Sequence, residues 1–377
     1  MAKKENSQRR LKGYYGFQKK YPSRIGERPI HETRKAKRRE RIRTILFCVF
    51  LCLLFVGVFI FAKFCYNLTT RPLDNNQVDS PPLVTAENIG TVRATYIDNY
   101  VLRDLTDLGN RLNSAKENGF NAVMLDFKTQ EGILTYDSDL ISYSGDEEYI
   151  EIDSQIINKI KSEGFLLLGR IYCFEDTIAP QRLNAYVYEN KEKTRIWFDD
   201  SAIMNGKVWL DPTNSKSINY LSSVISEVIS MGVDCVYLDS VQFPESRTGA
   251  VPVYTSDDTT LNRNMVLMKF IEKAVNSADG RPIILGCPLE CTDTGNTEKW
   301  GGTLFDTAAH ICSPVLEAPA NGDFLTYIEN SYLVLNNKAK NNFSTVKVIP
   351  TIKNPIENPE FYEDLSSSEA QSYIIVP

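Results

Sequence analysis

Histidine is nearly absent from this chain, which holds His31 and His310 alone. His31 lies in a basic N-terminal stretch, so a Ser-His-Asp triad would have to use His310, and multi-histidine zinc sites are excluded. His310 opens an apolar run and reads first as a strand-end or core histidine. Phosphate-binding glycine loops are missing too. No Walker loop and no strand-coupled GxGxxG occurs, which speaks against nucleotide cofactors, and no cofactor is expected. The eight cysteines lack the close paired spacing of a zinc site or a disulfide framework. Most read as small buried hydrophobes, and Cys287 and Cys291 are spaced to bridge across a loop.

Charge is distributed unevenly. Residues 1–43 carry 16 Lys/Arg against four acids, a local net of +12, which leaves −18 on the remainder of a chain whose total is −6. Between these parts, residues 44–62 (TILFCVFLCLLFVGVFIFA) contain no charge. As a helix they would measure about 28 Å, close to the thickness of a bilayer's hydrocarbon core. The basic cluster on the N-terminal side places residues 1–43 in the cytoplasm by the positive-inside rule. The expected organisation is a basic cytoplasmic tail (1–43), a transmembrane helix (44–64), a linker (65–89) and an extracytoplasmic domain (90–377). A cleaved signal peptide is the poorer reading, because the basic region is long and no small-x-small site follows. The tail's expected partner is anionic lipid; without interleaved aromatics, nucleic acid is not expected.

From about residue 90, apolar runs of strand length alternate with helical spacing. Strand candidates are Thr91–Ile97, Ala122–Phe127, Leu166–Phe174, Cys235–Asp239, Pro282–Leu289, His310–Leu316, Val346–Ile352 and Tyr373–Val376. Helical periodicity lies between most of them, with Gly119, Gly164 and Gly232 closing three helices. A short helix is expected near Leu304–Ala309. Alternation of this kind predicts a (β/α)8 TIM-like barrel, here without a helix after the last strand. One connection, 175–214, is long; its Tyr186, Tyr188, Trp197, Phe198 and Trp209 predict an ordered segment over the barrel mouth.

Six acids fall at or just past the ends of the first six strands: Asp98, Asp126, Glu175, Asp239, Glu290 and Glu317. Converging carboxylates suit glycoside chemistry, in which one must be protonated and the other ionised. Acids at strand ends also cap the following helix, so each carries a structural alternative. Asp239 stands out because the run before it, Cys235-Val236-Tyr237-Leu238, is otherwise apolar and Phe243-Pro244 shapes the exit. Arg170, inside the third strand, is placed to hold a carboxylate ionised. The tryptophans of the long connection are placed to stack on sugars.

Four segments carry a family resemblance. They are Asn121–Lys128 with Gly132 and Thr135-Tyr136, Gly169-Arg170-Ile171 with Phe174 and Asp176, Trp209-Leu210-Asp211-Pro212, and Leu238–Pro244. Over about residues 91–353 the chain resembles the glycoside-hydrolase-like TIM-barrel domain family. Gln242 and Ser240 stand where that family usually has Arg and Tyr. The resemblance implies a relation to amylase-like barrels, in which a fourth-strand Asp is the nucleophile and a fifth-strand Glu the acid. By that analogy Asp239 is the nucleophile or base and Glu290 the acid, with Glu317 as its rival. Asp126, Arg170, Trp209, Asp211, Gln242 and Trp197 are expected to bind substrate. The expected activity is a glycoside hydrolase acting on a cell-wall or environmental polysaccharide; the alternative is a non-catalytic envelope-binding module on the same scaffold.

Overall fold

The computed structural model describes residues 83–141, 150–256, 262–292, 299–303, 309–317, 323–341, 346–353 and 359–377, with nine positions between Arg38 and Leu54. The chain divides into two units, Met1–Ser80 and Pro81–Pro377. Among the described residues no helix is long and apolar enough to cross a membrane. The expected span, 44–64, lies outside them except for Ile45, Leu46, Phe47, Val49 and Leu54, which are helical and exposed. The helix expected near Leu304–Ala309 also lies outside the described residues but for Ala309.

The second unit is a closed barrel of parallel strands flanked by helices. Its strands are β1 (Arg93–Tyr96), β2 (Ala122–Lys128), β3 (Leu166–Tyr172), β4 (Cys235–Asp239), β5 (Ile283–Pro288), β6 (Ile311–Glu317), β7 (Lys347–Val348), β8 (Thr351–Lys353) and β9 (Tyr373–Val376). Each pairs in parallel with its neighbour, and β1 closes the circle by pairing with β9. β7 and β8 are one barrel strand in two pieces. The expected strand Val346–Ile352 breaks at Ile349-Pro350, because Pro350 has no N–H to donate to the ladder. Both pieces still pair with β6, so eight barrel positions are filled.

Helices α1 (Leu105–Glu117), α2 (Ser154–Ser162), α3 (Ala179–Leu183), α4 (Ser215–Ser230), α5 (Arg263–Ser277), α6 (Phe324–Asn341) and α7 (Pro359–Ser367) lie between the strands. Side chains of Asp104, Asp153, Asn214 and Asn262 cap α1, α2, α4 and α5 by accepting from backbone N–H groups of the first turn. Gly164 (φ +85) and Gly232 (φ +104) end α2 and α4 in the left-handed region, returning the chain into β3 and β4. α3 and α7 lacked a periodic signal, since each is short and packs as part of a connection.

Strand parity builds two cores. Val123, Leu125, Leu167, Val236, Leu238 and Leu285 point outward and pack under the helices. Ala94, Met124, Leu168, Cys235, Tyr237 and Ile284 point inward and fill the barrel. Val84 and Ile89, in the stretch read as linker, join this inner cluster from below. Tyr237 crosses the interior, its hydroxyl 3.0 Å from Thr351 Oγ1. Gly286 leaves the room it needs, because a methyl there would collide with the Tyr237 ring.

Candidate active site

The same parity carries polar residues inward one layer higher. After Ala122 and Met124, β2 turns Asp126 inward; after Leu168, β3 turns in Arg170 and Tyr172; after Cys235 and Tyr237, β4 turns in Asp239. Register brings them side by side, with Asp126 opposite Arg170 and Tyr172 opposite Asp239. Arg170, Tyr172 and Asp239 of this layer line the floor of a cleft of about 690 Å³ at the C-terminal mouth of the barrel.

Arg170 grips Asp126 with two nitrogens: Nε donates to Oδ1, and Nη2 donates to Oδ2 at 2.9 Å. The fork is flat and rigid, so it fixes both side chains. The Tyr96 hydroxyl also donates to Asp126 Oδ2, at 2.9 Å. Tyrosines flank the guanidinium, with the Tyr96 and Tyr172 ring centres 4.7 and 4.9 Å from Arg170 Cζ.

Asp239 lies beside this pair. Burial raises its pKa, and the charge of Arg170 and the Ser240 N–H act against that rise. Ser240 follows in the left-handed region (φ +52), unusual for a residue with a side chain. The turn aims its N–H at Asp239 Oδ1, 2.7 Å away. It also sets its hydroxyl between two acids, 3.4 Å from Asp239 Oδ1 and 3.3 Å from Glu175 Oε2. Both distances end on one oxygen, so those carboxylate oxygens can be no farther apart than the two laid end to end. Backbone pairing carries this register past the strands, for Cys173 N–H donates to Asp239 O and Phe174 N–H to Ser240 O. Glu175 is also raised in pKa by burial; Gln130, which donates to its Oε1, and Lys207, 3.6 Å away, oppose the rise, while Asp239 adds to it.

Residues 94–287, just over half of the chain, match a family model described as a "putative glycosyl hydrolase domain". The chain belongs to this family. Among curated proteins, none matches the sequence. Among solved structures, the chain is similar to a cycloalternan-degrading enzyme from Trueperella pyogenes at 8% identity, covering 75% of this chain and 42% of that one, with a TM-score of 0.50. It is also similar to an α-galactosidase from Thermus thermophilus at 12% identity, covering 76% and 58% of the two chains, with a TM-score of 0.47. The catalytic domain of a β-amylase from Paenibacillus polymyxa is 12% identical over 76% and 92% of the two chains, with a TM-score of 0.45. At these identities the likeness concerns the fold alone.

The barrel brings Asp239, Glu290, Glu317, Arg170 and Gln242 to one cleft, and Asp126 lines the hollow beside it. Glu290 and Glu317 differ from Asp239 in environment: both are exposed, and Glu317 accepts from Lys353 Nζ at 3.0 Å. Both also lie beyond the matched residues 94–287. Glu175, seen in the sequence as one strand-end acid among six, is the carboxylate tied to Asp239.

Three expected substrate contacts point elsewhere. Trp197 is fully buried, its Nε1 donating to Ala250 O at 3.0 Å, so neither ring face is open to a sugar. Trp209 is buried and donates to Asp199 Oδ2 at 3.1 Å. Asp211 is sealed beneath the loops, where it accepts from Thr213 N and Oγ1 and from Thr255 N. Burial raises its pKa while those bonds oppose the rise. The long connection 175–214 is ordered as expected, but it spends its tryptophans on packing. A bridge from Tyr188 to Ile196 folds it on itself, and one from Tyr188 to Val253 docks it on the segment after β4.

His310 sits at the opposite end of β6, where its Nδ1 accepts from Ile283 N at 3.3 Å. Cys287 is disulfide-bonded, and Cys173, Cys235 and Cys312 are free and buried. Among the described residues no group of three His, Cys, Asp or Glu converges as a metal site.

Proposed function

We propose that this glycosyl hydrolase domain cleaves a cell-envelope or environmental glycan, with Asp239 and Glu175 as its working carboxylates. The observation that carries this reading is the Ser240 hydroxyl, which lies within 3.4 Å of both acids. Glycosidase pairs stand about 5–9.5 Å apart, and the shared Ser240 contacts limit this pair to at most the narrow part of that range. Arg170 favours the ionised form of Asp239 against the rise that burial causes. The negative charge of ionised Asp239 helps to keep the proton on Glu175. Glu175 would donate to the departing glycosidic oxygen as general acid. Asp239 would act from the other side, as nucleophile on the anomeric carbon or as base toward water. Arg170, locked by Asp126 and the two tyrosines, holds the field at the floor of the cleft while charge moves.

The basic stretch 1–43 followed by the apolar run 44–62 supports a single-pass anchor with the barrel outside the cell. Protease added to sealed cells would remove the barrel and spare a tag at residue 1; protection of the barrel would overturn the orientation.

The deciding experiment incubates the full chain with purified cell-wall polysaccharide and with α- and β-glucans. Wild type, Asp239→Asn, Glu175→Gln and Glu290→Gln run in parallel. Fragment release lost in the first two variants and kept in Glu290→Gln supports the assignment. Release that survives Glu175→Gln and disappears in Glu290→Gln moves the acid to Glu290. Retention of all four proteins on one polymer without fragments supports an envelope-binding module instead.

A further inference from the structure

A second hollow of about 390 Å³ lies over the ends of β1, β2 and β3. It is separate from the cleft but shares two of its walls, Gln130 and Tyr172. The floor is shared too: Arg170 lines the cleft and Asp126 lines the hollow, so the forked ion pair runs beneath their junction. Gln130 couples the two, because its amide donates to Glu175.

The outer lip of the hollow is built. Tyr100 stands there 69% exposed, with Arg103 Cζ 4.8 Å from its ring centre. Asp98 accepts from the Tyr100 N–H at 2.8 Å, which fixes the turn bearing that ring. Asn99 bonds to both the carbonyl and the N–H of Ile150, at 2.9 Å each, tying the lip to the chain that enters α2. An exposed aromatic on such a fixed turn costs little ordering entropy when a ligand stacks on it.

Charge narrows the ligand. In the cleft the cations Arg170 and Lys353 are already engaged by Asp126 and Glu317. Asp239 and Glu290 remain there as acids beside Glu175, which Lys207 approaches to 3.6 Å, and in the hollow Asp98 and Glu131 outnumber Arg103. A polyanionic chain would be repelled along this path, whereas a neutral one meets hydrogen-bonding groups and rings.

We propose that the hollow over β1–β3 is a set of glycan subsites continuous with the cleft, so that the domain cleaves within a neutral polysaccharide instead of trimming its end. This rests on the hydrolase reading above for the cleavage, though not for the binding. The Asp239–Glu175 pair lies between the hollow on one side and the Glu290 and Glu317 rim on the other, so a chain can run past it in both directions.

The test separates binding from cleavage. Calorimetry uses the full chain carrying Asp239→Asn, with oligomers of two to seven sugars from α-1,4-glucan, β-1,4-glucan, N-acetylglucosamine and polygalacturonate. For one neutral series the Kd falls about tenfold or more from two sugars to six. Adding Tyr100→Ala removes most of that gain, Tyr100→Phe keeps it, and Val334→Ala on the far surface of α6 has no effect. Polygalacturonate does not bind. The proposal is overturned if two and six sugars bind equally, if Tyr100→Ala matches its parent, or if no neutral oligomer binds. Wild type should release internal fragments of several lengths from the bound polymer. Release of single sugars only overturns internal cleavage and leaves the hydrolase standing. Length-dependent binding with no release of any kind leaves the subsites standing and removes the hydrolase.

Discussion

Two sides of one barrel mouth present acids under opposite conditions. On the β2–β4 side, Asp126, Glu175 and Asp239 are partly buried, and each accepts bonds from a neighbour held by the sheet. On the β5–β6 side, Glu290 and Glu317 project from strand ends into solvent. All five are carboxylates, yet it is at Glu175 and Asp239 that burial raises the proton affinity. Burial, a fixed guanidinium and a shared hydroxyl make a carboxylate an acid or a base; exposure leaves it a solvated charge.

The sharpest way to break this comparison is to neutralise one acid at a time. Glu175→Gln and Asp239→Asn should each lower kcat by about 10²–10⁴-fold on the polymer identified by fragment release. Glu290→Gln and Glu317→Gln should each cost less than about tenfold. Equal losses on both sides of the mouth would end the distinction.

Next in size is Arg170. Arg170→Met should lower kcat by about 10²-fold and move the acidic limb of the pH profile upward, because Asp239 loses the cation that favours its ionised form. Arg170→Lys should restore only part of the rate, since an ammonium cannot form the fork with Asp126. A profile that keeps its acidic limb in Arg170→Met would separate Arg170 from Asp239.

Stability sharpens the comparison with the sign reversed. The pKa of Asp239 is raised in the folded state, so the fold binds that proton more tightly than the unfolded chain does. Its stabilising contribution is therefore complete below the unfolded value of about 3.9 and is lost as pH rises through the higher folded value. Asp239→Asn should accordingly raise the Tm at pH 7 by about 2 °C or more, with the gain shrinking toward pH 4. An inactive Asp239→Asn variant that is less stable than wild type at pH 7 would contradict the burial argument.

The smallest effect belongs to the exposed side. Removing the Glu317–Lys353 pair with Lys353→Ala should change stability by no more than about 0.5 kcal/mol, read by denaturant unfolding. A larger loss would mean that this rim is held more firmly than its exposure indicates.

Much of the scaffold was legible in the residues. Apolar runs bounded by glycine and capping residues marked the barrel strands, because strand parity and helix capping are local properties. Asp239 was legible for the same reason: an acid ending an apolar strand must leave the sheet where the strand does. Pro350 announced the break in the seventh strand, although the reading ran through it. The two loop tryptophans were misplaced, since a loop aromatic looks the same in sequence whether it faces a ligand or the segment after β4. What decided Trp197 was a carbonyl at Ala250, 53 residues away.

By itself the sequence determined the alternation of strands and helices, the placing of Asp126 and Asp239 at strand ends with Arg170 inside the third strand, and the class of chemistry open to a chain with so little histidine. Only the tertiary structure decided which acid partners Asp239. Glu175, Glu290 and Glu317 occupy similar places along the chain, each at or just past the end of a strand. Parallel pairing sets β3 against β4, and the left-handed turn at Ser240 points one hydroxyl at both Glu175 and Asp239. That proximity depends on backbone register between strands more than 60 residues apart, which no local pattern encodes.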